Sequence, residues 1–402
     1  MKDSLSDFAL AGATPAFAEK LHVGRPNIGD RTRLLERINT ALDTRWLTNS
    51  GPFEREFERR IADFTGAAHC IATCNATLAL ELAIRALGLR GEVIVPSFTF
   101  IATAHALQWQ AITPVFCDID PATYNLDPLR VEQLITPNTT AILPVHVFGR
   151  PCDIDSLAEI AARRGLKLLF DAAHAFGCSY HGRTIGTFGD AEVFSFHATK
   201  AINSFEGGAV LTNDRALADE IRLLRNFGFS GYDETAHLGT NAKMTEVCAA
   251  MGLTSLEALD EIIAVNRRNW GVYRAELMDL NGISLVEYDP KEKSTFHYVV
   301  IEVHPEEAAL DRDELLTVLQ AENVLARRYF WPGCHRMEPY RSADPKAHLR
   351  LPQTERVAAQ VMTLPTGQAI TPDVITKVCN IIRAALKNAR PIRKLLREQA
   401  AI

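Results

Sequence analysis

Apolar runs of four to six residues recur along the first half of the chain, with stretches of helical periodicity between them. Continuous apolar runs indicate strands that are buried on both faces, and the intervening pattern is typical of helices that cover a sheet. The runs lie at 92–95, 113–116, 141–145, 166–170, 191–196 and 209–212, and the helices at 30–42, 53–64, 78–87 and 155–164. This alternation predicts an α/β fold with a mainly parallel sheet.

The second half of the chain has a different pattern. A helical stretch from about 244 to 275 is followed by a strand signal near 296–303 and by helices at 311–321 and 372–386. We therefore predict an N-terminal arm at 1–25, a large domain at 26–265 and a smaller C-terminal α/β domain at 266–402. The basic tail at 390–397 is typical of a solvated helix end.

Composition excludes several classes of protein. The 402 residues are 47% hydrophobic and 23% charged, as in ordinary soluble domains, and the net charge of −6 argues against a general nucleic-acid binder. No apolar run approaches the roughly 20 residues of a membrane span, and the polar N-terminus is unlike a secretory signal. Eight scattered cysteines without metal-site spacing predict reduced thiols, no metal site and a cytoplasmic location.

Lys200 lies in a short polar turn between the run that ends at Phe196 and the run that begins at Ala209. A lysine held between buried strands is costly unless it is paired or chemically used, although a surface-loop lysine gives the same local pattern. Asp171 lies 29 residues earlier, at the carboxyl end of another strand, where open α/β sheets place ligands. An amine and a carboxylate placed in this way suit pyridoxal phosphate: the lysine supplies the Schiff base and the acid keeps the pyridine nitrogen protonated.

Three segments carry a family resemblance: those around Asp171 and Lys200, and a third at 239–246 with the sequence GTNAKMTE. From about residue 24 to residue 372 the chain resembles the fold-type-I pyridoxal-phosphate enzymes, and within them the sugar-nucleotide aminotransferases of deoxysugar and antibiotic biosynthesis. The resemblance implies a large domain with a mainly parallel seven-stranded sheet and a smaller C-terminal α/β domain. It also implies a homodimer with shared active sites.

The resemblance assigns several residues to the cofactor. Ala76 and Thr77 would hold the phosphate at a helix N-terminus, although a plain N-cap is an equally good interpretation of that turn. Ser195 matches the family's phosphate-binding serine. Phe100 matches the aromatic residue that stacks on the pyridine ring, where a core aromatic is the alternative. His174 replaces the glutamine that bonds the pyridoxal 3′-oxygen in many relatives, and a ring N–H could do the same.

Other residues are assigned to the substrate or to the neighbouring subunit. In the family the third segment crosses to the partner's active site, where Asn241 would touch the cofactor phosphate and Lys243 would lie near phosphate and substrate. Most relatives carry an arginine where this chain has Lys243, and a lysine lacks the bidentate fork of an arginine. The segment 327–336 interleaves arginines with aromatics and could bind a nucleotide or form a domain interface; Tyr329 and His335 are its candidate substrate contacts.

The function implied is transfer of an amino group from glutamate to dTDP-4-keto-6-deoxyglucose. A C3 aminotransferase of a 3-keto sugar nucleotide remains an alternative. Sugar dehydratases of this fold replace the Schiff-base lysine with histidine, so the intact Lys200 argues against them. A non-catalytic sensor would usually carry a DNA-binding domain, for which residues 1–25 are too few. A dinucleotide enzyme would need a G-x-G-x-x-G turn, which the sequence lacks.

Overall fold

The computed structural model describes residues 2–400. The strands are β1 Leu21–His22, β2 His69–Thr73, β3 Glu92–Pro96, β4 Thr113–Cys117, β5 Thr139–Ile142, β6 Lys167–Asp171, β7 Ser179–Tyr180, β8 Arg183–Thr184, β9 Ala191–Ser195, β10 Gly208–Thr212, β11 Ile283–Leu285, β12 Val299–Val303, β13 Val324–Leu325 and β14 Val361–Leu364. The helices are α1 Arg31–Thr44, α2 Pro52–Thr65, α3 Ala76–Ala86, α4 Ala102–Gln108, α5 Pro128–Leu134, α6 Ile154–Arg164, α7 Arg215–Arg225, α8 Glu246–Glu257, α9 Leu259–Leu277, α10 Pro305–Ala308, α11 Arg312–Ala321, α12 Tyr340–Ala343, α13 Pro352–Gln360, α14 Pro372–Lys387 and α15 Ala389–Ala400.

A seven-stranded sheet in the order β2-β10-β9-β6-β5-β3-β4 forms the centre of the large domain. β10 pairs antiparallel with both of its neighbours, and the other neighbouring strands pair parallel. One apolar core, built on α2, α6 and α8, covers one face, and a second, built on α3, α4 and α7, covers the other. The predicted α/β class with a mainly parallel seven-stranded sheet is therefore confirmed, and the carboxyl ends of β6 and β9 meet at one edge.

The smaller domain packs a three-stranded antiparallel sheet, β11-β12-β14, against α11 and α14. The N-terminal segment joins this core, because Phe8 and Phe17 are buried in it and β1 pairs parallel with β13. Helix α9 connects the domains: Leu259 lies in the large-domain core, and Tyr273 and Leu277 lie in the small-domain core. The predicted boundary at 265/266 therefore falls within one continuous helix.

Several element bounds differ from the sequence prediction. The helical stretch at 244–275 is two helices that meet at Ala258, whose N–H bonds back to Ser255 and Leu256 instead of continuing the α-helical pattern. The strand expected from 296 begins at Val299, because Phe296 has a left-handed φ of 49° that extended strands do not adopt. The tail forms α15, and Ile392 is buried in the small-domain core. Across residues 2–400, none of the helices combines the length and apolar character needed to cross a bilayer.

Candidate active site

A cavity of about 390 Å³ lies at the carboxyl ends of the sheet strands, and the small domain closes it from the other side. Its volume is in the range of small-molecule sites. The small domain contributes His297, Tyr298 and Phe330 to the wall. Eight residues predicted from the sequence line the cavity: Ala76, Thr77, Phe100, Asp171, His174, Ser195, Lys200 and Tyr329.

Asp171 is the last residue of β6, and its carboxylate is buried. The Thr103 hydroxyl donates to Oδ2 at 2.8 Å, and the backbone N–H of Ala173 donates to Oδ1 at 3.1 Å. Burial raises the pKa of Asp171, while these two donors and the Lys200 ammonium oppose the rise. The side chain therefore has the polar support that a buried carboxylate needs.

Lys200 follows β9 in a turn closed by its own N–H, which bonds the carbonyl of His197 at 2.9 Å. Its amine donates to the hydroxyl of Tyr298 at 3.4 Å. His297 Nε2–H donates to the Thr199 carbonyl at 2.8 Å, so the small domain also holds the backbone next to the lysine. Burial lowers the pKa of Lys200 to about 8, with Asp171 acting in the opposite direction. The amine can therefore lose its proton near neutral pH.

The N-terminus of α3 opens into the same cavity. Asn75 caps the helix by accepting from the N–H of Leu78 at 2.8 Å, which leaves the N–H groups of Ala76 and Thr77 at the free end of the helix. Gly208 approaches this end so closely that a Cβ there would lie 2.6 Å from the nitrogen of Ala76. With the Ser195 hydroxyl in the same wall, this arrangement suits a phosphate group.

His174 stacks against the ring of Phe330 at 5.7 Å, and its Nδ1 accepts the backbone N–H of Phe148 at 3.2 Å. Because burial and the nearby Lys200 hold its pKa well below the ordinary value, the ring is neutral. A neutral imidazole that accepts at Nδ1 carries its hydrogen at Nε2. His174 therefore offers one N–H donor, as the glutamine of relatives would.

Two predicted residues lie away from the cavity of their own chain. Asn241 is exposed and forms a bridge with Asn226 on the neighbouring segment. The amine of Lys243 donates to the side-chain oxygen of Asn226 at 3.0 Å and lies 4.8 Å from the centre of the Phe227 ring. Neither touches the wall formed by Lys200 and Asp171, so their roles at a partner's site stay predictions.

The structure corrects the prediction that His335 contacts the substrate. This histidine is only 2% exposed and does not line the cavity. The Ser97 hydroxyl lies 2.7 Å from its Nδ1, and Glu355 lies 2.6 Å from its Nε2, so both ring nitrogens are engaged. His335 joins the end of β3 to the small domain. Arginines and aromatics occur together in the segment 327–336, and this pattern does not show from the sequence which side chain faces the cavity.

Among the residues of the site that were absent from the sequence prediction are Thr99, Thr103, His297 and Tyr298. Thr99 and Thr103 flank Phe100, so that motif was the available signal. His297 and Tyr298 come from the segment just before β12, nearly 100 residues after Lys200, and no local pattern links them to it.

The residues of the cavity fit a phosphorylated pyridine aldehyde. One cavity brings together an amine with a lowered pKa, a buried carboxylate with its own donors, and a helix N-terminus approached by glycine. Lys200 would hold the aldehyde carbon, Asp171 the ring nitrogen, and Ala76, Thr77 and Ser195 the phosphate. Fold and site together define a pyridoxal-phosphate enzyme of fold type I.

Comparison with known proteins gives the family. The model of the DegT/DnrJ/EryC1/StrS aminotransferase family matches residues 29–383. The chain is 37% identical over 363 residues to dTDP-4-amino-4,6-dideoxy-D-glucose transaminase of Shigella dysenteriae, covering 90% of this chain and 98% of the relative. It is also 37% identical over 370 residues to GDP-perosamine synthase of Caulobacter vibrioides, covering 89% and 96%.

Among solved structures, DesI in the presence of its TDP-sugar product superposes with a TM-score of 0.93 at 51% identity, covering 98% of this chain and 100% of that one. The chain therefore belongs to the DegT/DnrJ/EryC1/StrS aminotransferase family, and pyridoxal 5′-phosphate is its cofactor.

Proposed function

We propose that the protein transfers an amino group from glutamate to C4 of a dTDP-4-keto-6-deoxy sugar. The observation that carries this proposal is the convergence of Lys200, Asp171 and the N-terminus of α3 on one cavity. The similarity to a dTDP-4-amino-4,6-dideoxyglucose transaminase and to DesI supports the sugar and the position. The glutamate donor rests on the family resemblance.

The reaction assigns a task to each side chain. When bound, the cofactor supplies an electron sink that stabilises negative charge at the carbon losing its proton. Lys200 would hold the cofactor between turnovers, and its free amine would move the proton at the α-carbon of the donor. Asp171 holds the proton at the pyridine nitrogen, and Tyr298 orients the lysine amine. A lysine whose pKa is about 8 can both take up and release that proton near neutral pH.

A second cavity of about 510 Å³ adjoins the first and supports a substrate with a nucleotide. The two cavities share Thr99, Phe100, Arg327, Tyr329 and Phe330. The guanidinium of Arg327 lies 4.8 Å from the centre of the Tyr329 ring, and Arg328 and Trp331 complete the wall. Cations beside aromatic faces suit a diphosphate joined to a base. We place the nucleotide here, with Tyr329 between it and the sugar.

A homodimer is part of the proposal. The segment 226–243 exposes several apolar side chains: Phe227 and Phe229 are 46% and 42% exposed, Leu238 is 76% exposed and Tyr232 is fully exposed. Exposed apolar clusters of this kind mark interaction surfaces. The same segment carries Asn241 and Lys243. A second copy that covers it would bring both residues to a neighbouring active site.

The test uses the purified protein with glutamate and a panel of keto-sugar nucleotides. We expect dTDP-4-keto-6-deoxyglucose to give a 4-amino sugar, identified by NMR, and Lys200→Ala to lose turnover and the visible cofactor absorbance together. Amination at C3 alone would overturn the assigned position. Full activity of Lys200→Ala would overturn the role of Lys200.

A further inference from the structure

The buried carboxylate of Asp171 is the end of a chain of hydroxyl groups. Thr103, in the first turn of α4, is completely buried and donates its hydroxyl to Asp171 Oδ2 at 2.8 Å. The hydroxyl of Thr99 lies 3.0 Å from the hydroxyl of Thr103. Thr99 is also buried, at 3% exposed, but it reaches the wall of the cavity, whereas Thr103 does not.

The direction of these hydrogen bonds follows from the number of hydrogens. An ionised carboxylate only accepts, so the single hydroxyl hydrogen of Thr103 must point to Asp171. Thr103 can then only accept from Thr99. A chain of aligned hydroxyls polarises each member, and the last donor binds its acceptor more strongly than an isolated hydroxyl would.

We propose that Thr103 is a positioning residue of the cofactor site, which holds Asp171 as an ionised carboxylate with Oδ2 tied to α4, and that Thr99 strengthens this hold. The proposal rests on the proposed function, because the charge is used where a pyridine nitrogen must stay protonated. Thr103 does not line the cavity. It acts through Asp171 alone.

The balance of effects on Asp171 explains why such a donor is needed. Burial raises the pKa of this carboxyl, and the opposing contributions come from Thr103, from the Ala173 N–H and from Lys200. Tyr298 and Cys152 are the other titratable groups that interact with it, and burial holds the pKa of each well above its ordinary value, so both stay neutral. Once Lys200 is bound to the cofactor, Thr103 and Ala173 remain as the donors to the carboxylate. Loss of a hydrogen bond to a charged group then changes the equilibrium by about ten- to a hundredfold.

The test compares Thr103→Val, Thr103→Ser and the control Thr65→Val, which removes a buried hydroxyl that bonds Ile61 within α2, far from the cavity. We expect Thr103→Val to lower kcat by about ten- to a hundredfold with KM for the keto sugar little changed. The pH midpoint at which the visible absorbance of the bound cofactor changes should rise. A less positive pyridine ring disfavours loss of the proton from the Lys200 nitrogen that is joined to the cofactor. Thr103→Ser should restore both values, and Thr65→Val should match the wild type.

A Thr103→Val enzyme with the kcat and absorbance midpoint of the wild type would overturn the proposal. Should this variant fail to fold, Thr99→Val carries the test: we expect a smaller shift of the midpoint in the same direction, and an unchanged midpoint overturns the proposal. A wild-type protein without visible absorbance in the presence of pyridoxal phosphate would instead refute the proposed function. The two failures are therefore distinguishable.

Discussion

Lys200 lies in a buried environment that disfavours its ammonium form. Burial is the main cause of its lowered pKa, and Asp171 is the one counteracting charge. The two nearby imidazoles are neutral, because burial and Lys200 lower the pKa of His174 well below its ordinary value and that of His297 to about 4. A primary amine attacks an aldehyde only in its neutral form. The surroundings of Lys200 therefore favour the form that binds the cofactor.

This environment predicts the pH dependence of cofactor binding. In the protein freed of cofactor, the rate of pyridoxal phosphate incorporation should rise about tenfold per pH unit below pH 8 and level off above it, because the lowered pKa releases the Lys200 proton there. The measurement is stopped-flow absorbance of the cofactor-free protein across this range. Asp171→Asn removes the charge that raises the pKa of Lys200, so its midpoint should lie lower. A plateau reached only near pH 10.4, the ordinary lysine pKa, would contradict the assignment.

At the scale of elements, the loop between β3 and α4 is held from outside the large domain. The N–H of Cys334 bonds the carbonyl of Ser97 at 2.9 Å, and the Ser97 hydroxyl accepts the N–H of His335 at 3.0 Å. Glu355 on α13 accepts from His335 and from Arg336. This loop carries Thr99 and Phe100 into the cavity. His335 therefore supports this loop and does not contact the substrate.

Replacing His335 with Ala should destabilise the protein by about 3 kcal/mol, because the buried hydroxyl of Ser97 and the half-buried carboxylate of Glu355 both lose a partner. Burial lowers the pKa of His335 in the folded protein, so the unfolded chain binds a proton more readily. Stability from this site should therefore fall as the pH drops below about 6.5, and His335→Ala should lack that part of the slope. Urea unfolding at several pH values measures both effects.

The control for this experiment is His22→Ala at an exposed position, which should change the free energy of unfolding by less than about 0.5 kcal/mol. Equal stability of His335→Ala and the wild type would show that the cluster of Ser97, His335 and Glu355 contributes nothing to the fold.

Sequence reasoning found elements whose pattern is local and missed those whose identity depends on distant partners. Six apolar runs gave six strands of the large sheet, and Asp171 and Lys200 could be located because each follows such a run. β2 was not identified, since its five residues begin with a polar histidine and end with a threonine, which leaves an apolar run of only three residues. The start of β12 was misplaced because a left-handed Phe296 has no signature in composition.

At the scale of the whole molecule, the active site needs both domains. The residues just before β12 supply His297 and Tyr298, and the segment after β13 supplies Tyr329 and Phe330. Helix α9 passes through both hydrophobic cores and fixes their relation. Periodicity predicts such domains one at a time, and it does not show which side chains face each other across the gap. The family resemblance predicted Tyr329, whereas His297 and Tyr298 were recognised only from the structure.

The last prediction concerns the second copy of the chain. If Asn241 and Lys243 serve a neighbour's site, a dimer contains two composite sites, each with Lys200 from one chain and the 226–243 segment from the other. A Lys200→Ala dimer has two dead sites, and a dimer with Asn241→Ala and Lys243→Ala has two impaired ones. In a mixed dimer one site combines both defects, whereas the other combines an intact Lys200 with an intact Asn241 and Lys243.

Co-expression of these two variants in equal amounts should therefore restore about a quarter of the wild-type activity, because half of the dimers are mixed and one site in each is intact. Differently tagged chains allow the mixed dimers to be purified, and these should reach about half of the wild-type kcat per dimer. Light scattering gives the mass of each sample as a control. Purified mixed dimers no more active than the Asn241→Ala and Lys243→Ala parent would show that each site is built from a single chain, and Asn241 and Lys243 would then act only within their own subunit, beside Asn226 and Phe227.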